Sequence, residues 1–370
     1  MILHPFKACY PNPAMITSPD SFFGRVKEEY PHFYKSGFFK KFSQNAIYLC
    51  KITKPDGITR AVIAVNDFSD FEEGNIFKHE DTLDAKEQNT LELLLWRKAQ
   101  IKPVLLAYEN DHNLDQWMDV YFSENPKSFS YYFNDSDENH EVWAVTDEVN
   151  IGFIRDSFHN NIKYGYIADG HHRCATLTKL KNSGALENFI MPGILSIYIP
   201  FSDLKIYDYN RLVEMPFGLN ATKLVAELAK LFDIEVLEKP RKPLAKHEIV
   251  CILRKDWLSL KWKASKIKEF LSRNDNDFDA SMLNEFVLNK IFKIDDVKTD
   301  LSISYFEGNA PMQKIEKNLV QNTNLAAFLL HPISKEELIA IASQGRNLPP
   351  KSTWFEPRIK NGLLVLELVD

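Results

Sequence analysis

Glycine is scarce in this chain, and the scarcity limits the kinds of nucleotide site that it can form. Only 13 of its 370 residues are glycine, against a usual share of roughly 7%. No two glycines lie closer than five residues apart, so the G-x-G-x-x-G fingerprint of dinucleotide-binding folds is absent. The P-loop pattern fails as well, because histidines follow the pair Gly165 and Gly170, and Pro350 stands where a second glycine should follow Gly345. Both glycine-rich phosphate loops are therefore excluded.

The charge balance argues against nucleic acid and membranes as partners. The chain has 45 Lys and Arg against 51 Asp and Glu, a formal net charge of −6, whereas nucleic-acid backbones and anionic membranes attract basic surfaces. No apolar run approaches the roughly 18 residues of a membrane span, and the proline-broken start of the chain has no signal-peptide core. The four cysteines are scattered, without a C-x-x-C pair. We expect a cytoplasmic protein with reduced thiols.

Apolar periodicity predicts a chain of mixed α and β structure. Residues 47–53 and 59–66 are β-rich runs on either side of a Pro-Asp-Gly turn, which indicates a hairpin. Strands and helices alternate over residues 142–199, but the early hairpin favours an α+β fold with a mixed sheet. Residues 123–141 are polar and rich in Asn, Asp and Ser, and we expect a loop there.

The length predicts two or three domains. A boundary is expected near residues 208–220, which divides the chain into residues 1–208 and a C-terminal region of residues 209–370 with further helices and strands. In that region Ser334 and Glu337 form a capping-box pattern ahead of a helix.

The segment YIADGHHRCATL, residues 166–177, is the strongest local signal for a functional site. A strand is expected to end at Ala168, Gly170 permits a turn, and a helix begins near Arg173. The N–H groups and the dipole at a helix start attract anions, and Arg173 can clamp a phosphate through two hydrogen bonds. This segment is therefore a candidate phosphate site.

The polar residues of the same turn add chemistry to it. Asp169 could orient a histidine or coordinate Mg²⁺, and His171 and His172 could exchange protons near neutral pH. Taken singly, Asp169 could be only a helix cap and each histidine only a buried structural residue. Their combination in one pentapeptide favours a functional turn.

A second segment, NIFKHEDTLDAKEQ at residues 75–88, could supply a base. His79 and Glu80 precede a helix, and taken alone they are an ordinary acidic helix start. Beside an anion site, Glu80 becomes a candidate general base, because a carboxylate near phosphates can accept the proton of a substrate hydroxyl.

A third segment, NLPPKSTWFEPRIKNG at residues 347–362, is stiffened by two prolines. Lys351, Ser352 and Thr353 offer a cation and two hydroxyls, either to the site or to a rigid loop that only delivers the last strand. Arg211 is a weaker candidate, because an arginine beside an apolar strand is usually a surface or ion-pair residue.

Three of these motifs together resemble a known family. IADGHHR, KHEDT about ninety residues earlier and PPKSTWF near the C-terminus are similar to the bacterial and archaeal domain of unknown function 1015. HPF at residues 4–6 and GLL at residues 362–364 extend the resemblance over essentially the whole chain.

The DGHHR element also resembles the phosphate-binding box of the ParB/sulfiredoxin superfamily, which includes CTP-binding partition proteins, ATP-using sulfiredoxins and kinases of free serine. The resemblance implies an α+β fold whose mixed-sheet, ParB/sulfiredoxin-like core, residues 1–208, binds nucleotide. The C-terminal α/β region would follow, and its last loop could return to the site. The phosphate ligands implied are Asp169, Gly170, His172 and Arg173.

Departures from the superfamily patterns narrow the function. Sulfiredoxins carry a reactive cysteine where this chain has His171, so repair of sulfinic acids is not expected. Partition-type DNA binding expects a helix-turn-helix and a basic surface, and neither is evident. Members of the unknown-function family tend to occur near serine-biosynthesis genes, which implies a kinase of free serine or a similar small hydroxylated metabolite.

The expected co-substrate of such a kinase is ATP or ADP with Mg²⁺, and Asp169 is the candidate metal ligand. Glu80, His79 and His171 are the candidates for proton transfer, and Arg211, Lys351, Ser352 and Thr353 for supporting contacts or substrate binding. A non-enzymatic regulator that binds a nucleotide or metabolite is the main alternative, and a nucleotide-switched DNA binder is a third. The sequence leaves the oligomeric state open.

Overall fold

Apolar runs separated by turn residues divide the chain into short strands and helices. A computed structural model describes residues 1–81, 84–183 and 193–369, with the backbone alone for residues 84–86. The strands in this part of the chain are β1 (Leu3–His4), β2 (Cys9–Pro11), β3 (Phe39–Lys41), β4 (Ile47–Lys54), β5 (Gly57–Asn66), β6 (Ile76–Phe77), β7 (Ala99–Gln100), β8 (Val104–Tyr108), β9 (Phe129–Phe133), β10 (Glu138–Val145), β11 (Gly165–Asp169), β12 (Ile194–Pro200), β13 (Lys205–Tyr207), β14 (Tyr209–Glu214), β15 (Phe232–Val236), β16 (Glu248–Leu253), β17 (Asp256–Trp262), β18 (Ile303–Glu307), β19 (Leu325–Leu330), β20 (Trp354–Glu356) and β21 (Leu366–Glu367).

The helices begin mostly at capping residues. Ser334 and Glu337 form the reciprocal capping box that their spacing predicts, with N–H···O distances of 3.0 and 3.1 Å. The helices in the described residues are α1 (Pro19–Lys35), α2 (Phe68–Glu72), α3 (Asp84–Arg97), α4 (His112–Glu124), α5 (Glu148–Asp156), α6 (His171–Asn182), α7 (Ala221–Leu228), α8 (Ala264–Leu271), α9 (Asp279–Met282), α10 (Met312–Gln321) and α11 (Lys335–Ser343), with π-helical turns at Ser157–Asn161 and Leu283–Asn289 and a 3₁₀ turn at Phe201–Asp203. None of these helices is long and apolar enough to cross a membrane.

The chain forms two compact units. The first consists of Met1–Lys205, Ile341–Asn347 and Phe355–Asp370, and the second of Ile206–Ala340 and Leu348–Trp354.

The first unit is built on a nine-stranded sheet in the order β6-β11-β8-β12-β5-β4-β10-β9, with β1 paired to β5. The pairs β6·β11 and β8·β12 are parallel and the other described pairs are antiparallel. β4 and β5 form the predicted hairpin, with Lys54 opposite Gly57 at its turn. The prediction of a mixed sheet is confirmed.

The predicted loop over residues 123–141 is wrong. β9 and the start of β10 lie there and pair antiparallel. Phe129, Tyr131 and Phe133 point to the buried side of β9, and the residues between them are more exposed. This alternation is typical of a half-buried strand, but the polar residues around it obscure the pattern.

The second unit contains a six-stranded sheet in the order β15-β17-β16-β19-β14-β18. Its described pairs are all antiparallel, an α+β arrangement rather than the parallel alternation of an α/β region. Ala326, Phe328 and Leu330 of β19 face a core under α7, α8 and α9, while Ala327 and Leu329 face a second core under α10. Helices therefore cover both faces of the sheet.

The sheet of the first unit positions the DGHHR turn. β11 lies between β6 and β8 and ends at Asp169. Its register on β8 shifts between Ile167 and Asp169, an irregularity of the kind that redirects a side chain next to a functional site. α6 begins two residues later, at His171.

Candidate active site

Gly170 makes the turn from β11 into α6. Its φ of 114° and ψ of 22° lie in the left-handed region, which favours glycine. A Cβ at this position would lie 2.8 Å from Nη2 of Arg173. Glycine therefore permits both the turn and the close approach of the guanidinium.

Arg173 holds the start of α6 against the residues that precede β8. Its Nη1 donates to the backbone carbonyls of Lys102 and Pro103, at 2.9 and 2.6 Å, and its Nη2 donates to Oδ2 of Asp169 at 2.9 Å. Three of the five N–H donors of the guanidinium are thus used within the protein. The phosphate clamp predicted for Arg173 would have to compete with these three hydrogen bonds.

Asp169 lies among three cations. Lys102 Nζ and Arg173 Nη2 contact its Oδ2 at 2.7 and 2.9 Å, and Arg358 Nη1 contacts its Oδ1 at 3.2 Å. Burial alone would raise the pKa of Asp169, but Arg173, Lys102 and Arg358 hold it well below the usual range. Within these four residues, three cations face one carboxylate, a formal sum of +2. We call these four residues the Asp169 cluster.

Cations surround the carboxylate that the sequence predicts as a magnesium ligand. Both oxygens of Asp169 already face cations, whereas Mg²⁺ is held by carboxylate and other oxygen ligands. Among the residues that the structure describes, no group of three His, Cys, Asp or Glu side chains could hold a metal. These cations favour an anion nearby, and the role of Asp169 as a metal ligand stays a prediction.

His171, His79 and Glu80 meet at the first turn of α6. The rings of His79 and His171 pack edge to face with centroids 4.6 Å apart, and Nδ1 of His171 lies 3.9 Å from Oε2 of Glu80. The Glu80 side chain is 41% exposed, so a small substrate can reach its carboxylate. The structure thus brings the predicted proton-transfer residues to the predicted phosphate turn.

Both histidines are neutral at neutral pH. Burial lowers the pKa of His171 to about 4, against the opposing effect of Asp169. Burial, followed by the neighbouring His171, lowers the pKa of His79 well below its usual value. His171 is only 7% exposed, and its Nε2 has no hydrogen-bond partner among the described residues. A neutral imidazole nitrogen in this position can donate to or accept from a ligand, depending on its tautomer.

The remaining predicted residues are divided between the two units. His172 lies in α6, half-buried, and its carbonyl accepts a hydrogen bond from Thr176 at 2.8 Å. Asp81, next to Glu80, accepts a hydrogen bond from Asn347 at 2.6 Å. The first part of the NLPPKST segment therefore contacts the Glu80 segment within the first unit.

Arg211, Lys351, Ser352 and Thr353 belong to the second unit. Arg211 is 1% exposed and is paired with Asp208 at 2.7 Å, and it also donates to the carbonyl of Lys351 at 3.1 Å. Ser352 is buried and donates to a backbone carbonyl of its own loop at 2.7 Å. These contacts of Arg211 and Ser352 lie within the second unit.

Two residues of the Asp169 cluster are missing from the sequence prediction. Lys102 precedes β8, and Arg358 follows the predicted PPKST segment in the run FEPRIKNG. The sequence places Lys102 at the start of a predicted strand, but this position does not indicate which residue it pairs with. Arg358 lay inside a segment already considered, but the sequence does not indicate that it reaches Asp169.

Comparison with known proteins identifies the family. The model described as "Protein of unknown function (DUF1015)" matches residues 11–287. The chain belongs to the DUF1015 family. The resemblance drawn from the three motifs is thereby confirmed, while the relation to the ParB/sulfiredoxin superfamily stays a prediction. No curated protein matches this DUF1015 chain.

Several solved structures are similar to the DUF1015 chain. A free serine kinase in complex with AMP is 14% identical, with a TM-score of 0.39, over 80% of this chain and 89% of the kinase. A C-terminally truncated SbnI from Staphylococcus aureus is 12% identical, with a TM-score of 0.38 over 78% and 82%. A conserved hypothetical protein from Pyrococcus furiosus is 14% identical, with a TM-score of 0.36 over 78% and 90%.

Proposed function

We propose that this protein is a nucleotide-dependent kinase that phosphorylates free serine or a similar small hydroxylated metabolite. The observation that carries the proposal is the formal sum of +2 over the Asp169 cluster, next to the first turn of α6. Backbone N–H groups at a helix start and arginine side chains are typical ligands of phosphate oxygens. A partly buried positive site attracts a polyanion more strongly than the same charges in open water.

Glu80 is the proposed general base. The substrate hydroxyl oxygen would attack the terminal phosphorus of the nucleotide, its proton would pass to Glu80, and the shortened nucleotide would leave. His171 faces the Glu80 carboxylate across 3.9 Å, and a neutral Nδ1–H there could orient it by closing to hydrogen-bond distance. Phosphoryl transfer depends mainly on positioning and charge stabilisation, which this arrangement can supply.

Free serine is the first substrate to test, because the resemblance of the DGHHR turn implies it. Purified protein is incubated with serine, Mg²⁺ and either ATP or ADP, and phosphoserine is followed by mass spectrometry. We expect product from the wild-type protein. Glu80→Gln should lower the rate by about 10²- to 10⁴-fold, the usual contribution of a general base, with unchanged nucleotide affinity.

Glu148→Gln is the matched control, because Glu148 is an exposed glutamate in the first turn of α5 in the same unit. Its rate should equal that of the wild type. Absence of both product and nucleotide binding would remove the kinase proposal. Nucleotide binding that survives Glu80→Gln, with no turnover on any hydroxylated metabolite, would instead favour a non-enzymatic regulator.

A further inference from the structure

The C-terminal segment brings a cation to the Asp169 cluster from a distant part of the sequence. Arg358 lies 3.2 Å from Oδ1 of Asp169, on the oxygen opposite to the one that Lys102 and Arg173 contact. We propose that Arg358 binds a phosphate of the nucleotide and makes the site selective for ligands with two or more linked phosphates. This inference rests on the proposed function.

Arg358 is the cation of the cluster that solvent reaches most. Two backbone carbonyls hold the Arg173 guanidinium in place. Burial lowers the pKa of Lys102, and the neighbouring Asp169 opposes that effect. The Arg358 side chain is 35% exposed, more than the other members of the cluster, and its contact with Asp169 is the longest of the three. A planar guanidinium can also bind two phosphate oxygens at once.

Ion pairs on both sides of Arg358 fix the segment that carries it. Glu356 accepts from Lys54 at 3.2 Å and from the backbone N–H of Arg358 at 3.2 Å. Two residues further on, Lys360 pairs with the buried Glu138 at 3.1 Å. Partly buried ion pairs are a weak source of stability, so a role in positioning Arg358 explains this arrangement better than stability alone.

The placement of the cations on Asp169 suggests the class of ligand. One cation position lies at Oδ1 and two lie at Oδ2, so positive charge is present on two sides of one carboxylate. AMP offers one phosphate group to these cations, whereas ADP offers two linked groups with more negative charge. Arg358 should therefore matter for a nucleoside diphosphate much more than for a monophosphate.

Isothermal titration calorimetry with ADP and AMP tests the inference. Arg358→Ala should weaken ADP binding on the order of 10- to 100-fold, the range for loss of a charged hydrogen bond, and leave AMP binding nearly unchanged. Arg358→Lys should recover part of the ADP affinity. Arg155→Ala removes an exposed arginine of α5 in the same unit and should change neither affinity.

The same titration in an Asp169→Asn background separates ligand binding from charge balance. If Arg358 binds phosphate, Arg358→Ala still weakens ADP binding when the Asp169 charge is absent. If Arg358 only neutralises Asp169, the loss disappears in that background and the inference is overturned. Equal losses for AMP and ADP, or an unchanged ADP affinity, overturn it as well and leave the kinase proposal standing. Wild-type protein that binds neither nucleotide overturns both.

Discussion

Burial controls the chemistry of the histidines at the candidate site. Each ring loses water when it packs against its neighbour, and the charged form loses more than the neutral form. The pKa of His171 therefore falls to about 4, and that of His79 falls well below its usual value. The sequence predicts that these residues take part in proton exchange, but burial favours hydrogen bonding by neutral rings, with Glu80 as the base.

This burial predicts a pH dependence of stability. An unfolded histidine titrates near pH 6.5, so below that pH the unfolded chain takes up a proton that folded His171 resists until about pH 4. Because the unfolded state then binds more protons, the free energy of unfolding falls as the pH drops from about 6.5 to 4. The contribution of His171 is at most about 1.4 kcal/mol per pH unit, and none of it is lost above about pH 6.5.

Urea unfolding of the wild type and His171→Asn between pH 7 and 4.5 measures this effect. The variant should show a shallower fall in the free energy of unfolding on acidification. His159→Asn, which changes an exposed histidine of the same unit, should retain the wild-type slope. Identical slopes for the wild type and His171→Asn would refute the assignment of a depressed pKa to His171.

The strand–turn–helix element around Gly170 follows from its local sequence. A strand that ends in a polar residue, one glycine and a helix rich in polar residues predict the turn, and the structure places Gly170 there with a left-handed φ. Its partners are not local. Lys102 and Arg358 lie 67 and 189 residues from Asp169 along the sequence, and only the pairing of β11 with β8 and the path of the C-terminal segment bring them together.

Gly170→Ala tests the packing of this element. A side chain at a left-handed φ costs about 1 kcal/mol or more, and here the new Cβ would also meet the Arg173 guanidinium at 2.8 Å. Arg173 can move away only by weakening its bonds to two carbonyls. We expect a lower free energy of unfolding, measured by urea denaturation, and weaker ADP binding.

Gly37→Ala is the control for backbone strain without crowding. Gly37 has a φ of 77°, and a Cβ added there would meet no atom of the described residues within 4 Å. Gly170→Ala should destabilise the protein more than Gly37→Ala by about 1 kcal/mol or more, the cost of crowding a packed site. Equal losses would show that Arg173 is not held against the turn.

Across the full chain, the sequence predicts the family, the mixed sheet and the early hairpin. It does not predict β9, whose alternating aromatic residues lie within a polar stretch. It also does not predict that Arg211 would be buried against Asp208 in the second unit, because a single arginine gives no signal of its partner. Local sequence patterns predict individual strands and helices. The partners in long-range ion pairs can be identified only from the folded structure.

The proposed kinase activity requires that phosphate groups bind where β11 turns into α6. A crystal structure of the protein grown with ADP tests it most directly. We expect phosphate density within about 3 Å of the backbone N–H groups at the start of α6, with the Arg358 guanidinium in contact with a phosphate. Saturating ADP bound elsewhere in the molecule, with the Asp169 cluster free of phosphate, would contradict it.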